Sequence, residues 1–237
     1  MITDEPFYAF GLSHGVAVAA LLGLGIYACK TVRNNPTADH SLIRYTLAGI
    51  LFYSALSGMV NALLRYSGET AWEMVLATEL PFFLCDVVAV ILGCALIWRS
   101  QRLTEVGYLW AMAGTAQGLI TPELNFDWPS LEYISFFAQH GLAPIAAVVL
   151  VWGMQLKPQP GAYLRVWLWL WGYVASVMGI NFLLGTNYGF LNAKPTAGTA
   201  LDYLGPYPWY LLSLHAVAAV LFFLLLLPFR VRKRLER

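Results

Sequence analysis

Apolar residues in this chain gather in long runs parted by short polar breaks. The runs cover Phe7–Cys29, Leu42–Leu64, Glu73–Trp98, Leu103–Ile120, Tyr133–Met154, Tyr163–Leu184 and Trp209–Phe229. At a rise of about 1.5 Å per residue they suit a hydrocarbon layer of about 30 Å, although the fourth is short and rich in glycine. The pattern predicts an all-α, polytopic membrane protein with seven transmembrane helices. The first run follows Asp4 and Glu5 instead of a basic segment and is too long for the apolar core of a signal peptide, so it reads as a retained span. Residues Arg165 to Trp171 alternate as a strand would, but an open strand leaves backbone groups unpaired in lipid, and a helix is expected there. Pro81 lacks the amide proton that a helix interior needs and should kink the third span.

Charge then suggests an orientation. Of the fourteen Lys and Arg residues, all but Arg65 and Lys194 fall at the first, third and fifth connections or in the tail Arg230–Arg237. Basic loops stay in the cytoplasm, which places the N-terminus outside and the C-terminus in the cytoplasm. Trp72, Trp128, Trp209 and Tyr210 then mark one headgroup layer, with Trp98, Trp152 and Tyr163 at the other. The 59% apolar and 11% charged composition excludes a soluble domain, where about 25% charge is usual. A net charge of +1 supplies no field for nucleic acid. Cys29, Cys85 and Cys94 show no zinc or redox spacing. Residues 1–237 thus read as a single integral domain of the cell membrane, with a long extracytoplasmic loop at about 186–208.

Polar residues inside spans are costly and usually face the bundle interior or a cavity. Here they cluster in depth. His14, Asn61, Glu79, Gln117, Gln139, His140, Asn181 and His215 all fall in the outer halves of their spans, with Cys85 and Asp86 near mid-membrane. This distribution predicts a polar cavity open to the outer face and ending near Cys85 and Asp86. Glu79 and Asp86 are seven residues apart, hence on one face of a continuous helix. Gly141 opens space beside His140. A thiol beside an imidazole can attack a carbonyl and form a thioester. The duller reading makes the same groups interhelical hydrogen bonds. No HExxH-type spacing is present, and neither a metal nor a cofactor is expected.

The most specific stretch runs from Asn181 to His215. Its glycines and prolines mark turns, and its length suits a lid over the cavity. The pattern carried by Asn181, Gly185, Thr186, Asn187, Tyr188, Phe190, Leu191, Lys194 and Pro195, then by Asp202, Leu204, Gly205, Pro206, Pro208, Trp209 and Tyr210, resembles the signature of the YwaF-like bacterial integral membrane proteins. Leu80–Asp86 (LPFFLCD) and Gln139–Gly141 (QHG) resemble that family too. A related animal transmembrane protein is described as an acyltransferase of ether phospholipids with a catalytic cysteine and histidine. The resemblance implies Cys85 as nucleophile and His140 as base. Phe83 departs from the bacterial pattern, which often has a histidine there.

These readings converge on a membrane acyltransferase or lipid hydrolase. Cys85 and His140 are its catalytic pair, and Glu79, Asp86, Gln139, Asn181, Asn187, Tyr188, His215 and His14 are its substrate-binding set. Gln139, Asn181 or Asn187 would stabilise the oxyanion. The partner is a membrane lipid or acyl chain, and no oligomeric state is implied. The competing readings are a proton-coupled transporter, a ligand-binding membrane receptor using the same cavity, or a structural partner for another membrane protein.

Overall fold

The longest apolar runs become the longest helices. The computed structural model describes residues 5–195 and 200–235. Asp4, the loop positions Thr196, Gly198 and Thr199, and the side chains of the basic tail beyond Arg230 lie outside the described residues. Helices α1 (Leu12–Asn34), α2 (Ser41–Arg65), α3 (Gly68–Met74), α4 (Leu84–Trp98), α5 (Gln101–Trp110), α6 (Gln117–Ile120), α7 (Leu131–Val148), α8 (Ala162–Leu184) and α9 (Trp209–Leu235) follow in order. Single π-helical turns extend α3 over Val75–Glu79, α5 over Ala111–Thr115 and α7 over Val149–Gly153. The protein is an all-α, multi-pass membrane protein.

The expectation of seven spans is not met. Among the described residues five helices are long and apolar enough to cross a membrane: Leu12–Asn34, Ser41–Arg65, Leu131–Gly153, Ala162–Leu184 and Trp209–Arg230. A sixth is reached only if Gly68–Glu79 and Leu84–Trp98, bent by 82° at their junction, count as one broken span. Two physical reasons account for the difference. Pro81 does more than kink the third run: Leu80 and Phe83 are extended, so the helix stops and restarts. The fourth run is too polar and too interrupted to serve as a span. Its helix carries Arg102, Thr104 and Glu105, and its second half passes through a π turn into the four-residue α6. With five spans, or six if the bent pair counts as one, the number of crossings no longer fixes the assignment of the N-terminus outside and the C-terminus to the cytoplasm. The same break means that Glu79 and Asp86 do not share one helix face, because Glu79 ends the π turn before the break and Asp86 lies in the first turn after it.

Helix α5 is a core element. Thr104 through Trp110 are all buried, and the helix packs against α4, α7 and α8. Its Glu105 is fully buried and takes a bidentate guanidinium from Arg165 of α8, with Nε at 3.0 Å from Oε2 and Nη2 at 2.9 Å from Oε1. The Gln159 amide adds a third donor at 2.8 Å. Nearby, Arg44 of α2 donates to Leu96 O and Ile97 O, covering the last carbonyls of α4. Buried Val88, Leu92, Leu96, Leu109, Ala143 and Leu150 form the centre of the core.

At the opposite end the chain ties itself together. Pro6 and Phe126 form an antiparallel bridge, and the Ser13 hydroxyl donates to Asp127 at 2.8 Å. The exposed Trp72, Trp98, Trp128 and Trp209 fit headgroup layers, but Tyr210 is fully buried and donates to Phe190 O beneath the loop after α8.

Candidate functional site

At this loop end α2, the α3 π turn and α7 enclose a cleft of about 380 Å³. Two helical stripes supply its walls. On α2 they are Gly58, Asn61 and Arg65, spaced three, four and seven residues apart along one face, with Ser57 beside Gly58. On α7 they are Glu132, Ser135 and Gln139. The π turn adds Glu79 and the loop before α7 adds Glu123 and Asn125. Gly58 lets the Glu79 carboxylate lie against α2, since a β-carbon there would displace Glu79 Oε2.

Among the lining residues of α7, Gln139 lies farthest from the start of the helix. Its Nε2 donates to Asp86 Oδ1 at 2.6 Å, joining the middle of α7 to the first turn of α4. The two short motifs, Leu80–Asp86 and Gln139–Gly141, therefore meet at one level of the bundle. Cys85 and His140, the neighbours of this pair, share no hydrogen bond. The Nδ1 of His140 lies 3.0 Å from Phe136 O, and its ring stacks on Phe136 at 4.1 Å. A carbonyl only accepts, so Nδ1 carries the proton and Nε2 keeps its lone pair.

Space for that imidazole comes from Gly118 of α6, where a β-carbon would overlap the ring. The Gly141 notch is filled by Leu21 of α1. Gly118→Ala should therefore push the imidazole off Phe136 O. Nitrogen-15 NMR of the His140 ring, which separates the two tautomers, should show the Nδ1–H signature lost. An unchanged spectrum would refute this packing account.

The remaining expected site residues lie apart. His14 is buried, accepts from Phe10 N at Nδ1 and so donates from Nε2 to Leu119 O at 2.8 Å. Both nitrogens are committed, Nδ1 to the turn that leads into α1 and Nε2 to α6. His215 donates from Nδ1 to Leu211 O at 2.7 Å and stacks against Trp167, leaving a buried Nε2 without a partner. Asn181 holds both edges of Tyr188: its Oδ1 accepts from the Tyr188 amide and its Nδ2 donates to Tyr188 O. Asn187 closes the following turn through Asn192, Ala193 N and Ala193 O.

Tyr188 itself is fully buried in the helix break. Its hydroxyl accepts from Leu80 N at 3.2 Å and donates toward Leu76 O at 2.9 Å and Val75 O at 3.2 Å. Its ring meets Phe82 and Phe83 edge-on at 5.5 and 5.4 Å. Phe83, at the position where the bacterial pattern often has a histidine, is thus an aromatic wall for Tyr188. On the other side of the break the Tyr173 hydroxyl donates to Phe82 O at 2.9 Å. The asparagines and the tyrosine of the long motif therefore build the support of the broken helix.

Glu132, Ser135, Glu123, Gly58, Gly118 and Tyr173 escaped the sequence reading. The spacing of Glu132, Ser135 and Gln139 was a usable signal, a polar stripe along an otherwise apolar helix. No group of three His, Cys, Asp or Glu residues among those described is placed to hold a metal ion.

The sequence profile of the TMEM164 family matches residues 9–226 of the chain. No curated protein and no solved structure matches it.

Proposed function

The chain belongs to the TMEM164 family of membrane proteins, and from that premise we propose that it is a membrane acyltransferase or lipid hydrolase acting on phospholipid or fatty-acyl substrates, with Cys85 as nucleophile and His140 as base. The observation that carries the reading is the Gln139–Asp86 hydrogen bond, which sets the α4 turn bearing Cys85 against the α7 segment bearing His140. The anchored Nδ1 of His140 supports it, because a histidine held in this way offers Nε2 as proton acceptor.

In the first step the Cys85 thiol gives its proton to His140 Nε2 as sulfur bonds to the acyl carbonyl carbon. The ester C–O bond then breaks, and the departing alkoxide takes that proton and leaves as an alcohol. In the second step the hydroxyl of an acceptor lipid, or water, attacks the thioester. Its proton passes through His140 to the sulfur, which restores the thiol and yields a new ester or a fatty acid. His140 leans on a carbonyl and not on a carboxylate, so an imidazolium gains little support and proton transfer should accompany C–S bond formation.

Purified protein incubated with phospholipid in mixed micelles should gain the mass of one acyl chain on Cys85, released by hydroxylamine. Cys85→Ala should abolish the adduct, and His140→Ala should slow its formation by about 10²-fold or more. No adduct on the wild type, with turnover unchanged in Cys85→Ala, would overturn the reading. The carboxylate-lined cleft favours one second reading, reception or proton-coupled uptake of a polar solute. Uptake by proteoliposomes that collapses in Asp86→Asn would select it.

A further inference from the structure

We propose that the cleft between α2, the α3 π turn and α7 binds an organic ammonium group. Three carboxylates line it, those of Glu79, Glu123 and Glu132, against the single guanidinium of Arg65. Arg65 forms no ion pair with any of them among the described residues. Glu123, in the connection between α6 and α7 and outside the spans, has its carboxyl pKa raised by partial burial and by the Asp202 carboxylate. Carboxylates gathered in a partly enclosed space repel one another, and a cation relieves that repulsion where a neutral polyol does not.

A second observation is independent of charge. Ser135 is 9% exposed, and its Oγ is buried in the cleft wall without a hydrogen-bond partner. The Oδ1 of Asn61, across from it on α2, is equally unpartnered. Buried polar atoms are rarely left unpaired. With Glu79, whose Oε1 is engaged only by the neighbouring Thr78 hydroxyl, they form a set of acceptors suited to the three N–H donors of a primary ammonium. The notch at Gly58 brings the Glu79 carboxylate against α2, on the helix that also carries Asn61. A volume of about 380 Å³ has room for a headgroup-sized ligand. As the polar end of a substrate, the ammonium rests on the acyl-transfer reading; as a bound ligand it stands without it.

The test is calorimetric titration of the full chain in maltoside micelles with propylammonium and with its uncharged analogue 1-propanol. A parallel arm measures retention of dioleoylphosphatidylethanolamine against dioleoylphosphatidylglycerol by native mass spectrometry. Propylammonium should bind at least tenfold more tightly than 1-propanol, and Glu79→Gln should weaken it about tenfold. Glu132→Gln serves as a second variant should the first not fold. Selective retention of the amine lipid without propylammonium binding identifies a lipid headgroup as the source, and binding of propylammonium alone identifies a free amine. Equal binding of amine and alcohol, binding unaffected by both substitutions, or failure of both arms would overturn the proposal. The titration reads no turnover, so its failure leaves acylation of Cys85 standing, and absence of acylation leaves the titration standing.

Discussion

Arg165→Ala should destabilise the protein by about 3–5 kcal/mol, the usual loss when one partner of a buried ion pair is removed. The two partners are unequal. The Glu105 side chain is 1% exposed and that of Arg165 35%. Removing the arginine leaves a carboxylate in the core with only the Gln159 amide for company. Removing the acid leaves a guanidinium that already reaches solvent or headgroups and still donates to Pro160 O. Glu105→Gln should therefore cost less, about 1–3 kcal/mol. A double replacement of both by methionine should be milder than Arg165→Ala, since no charge is then stranded. Unfolding midpoints in mixed detergent micelles order the three variants. An Arg165→Ala protein as stable as Glu105→Gln would show that Glu105 does not depend on this pair.

That ion pair also explains what the chain concealed. Five helices were legible because hydrocarbon burial depends on run length and composition, both local properties. The fate of Leu103–Ile120 depends on a residue sixty positions away. Read alone, Glu105 is one charge inside an apolar run; paired with Arg165 it marks a helix enclosed by protein. Charge placement along the loops does not fix the orientation for a related reason, because Arg44 and Arg165 are engaged with helix ends and a buried acid and do not simply mark a membrane face. The break at Pro81 was half legible. Proline weakens a helix without always ending it, as Pro144 inside α7 and Pro228 inside α9 show, and at Pro81 the 82° bend is braced by Tyr188 from the loop after α8.

The same distinction runs through the site. Asp86 and Gln139 were conspicuous as polar residues in apolar segments, and their costs in lipid made a mutual contact economical. Which histidine was already occupied was not legible, since His14 and His140 differ only in the acceptors and donors that folding brings to their rings. Motif density was a poor guide to ligand contact. Asn181, Asn187 and Tyr188 lie in the densest motif of the chain, and their polar atoms bind backbone groups of the loop and of the broken helix.

Tyr188→Ala should cost about 3–5 kcal/mol, the range for emptying a buried aromatic site. The phenol ring meets both Phe82 and Phe83 edge-on. Tyr188→Phe isolates the hydroxyl. It keeps the ring and leaves Leu80 N without its acceptor, a loss of about 1–3 kcal/mol for an unpaired buried donor. Asn181→Ala should add little to Tyr188→Ala, because the asparagine acts by holding the Tyr188 backbone in place. The local consequence is sharper than the global one. Hydrogen exchange across Leu76–Leu80 should quicken in Tyr188→Phe, while the centre of α4 around Leu92 keeps its protection. Glu79 closes the π turn directly before Leu80, and Cys85 lies in the first turn of α4 after the break. Loosening the hinge should thus disturb the cleft and the thiol together. Unaltered exchange at Leu76–Leu80 in Tyr188→Phe would mean that Pro81 alone sustains the break, and that the loop after α8 has no part in positioning either group.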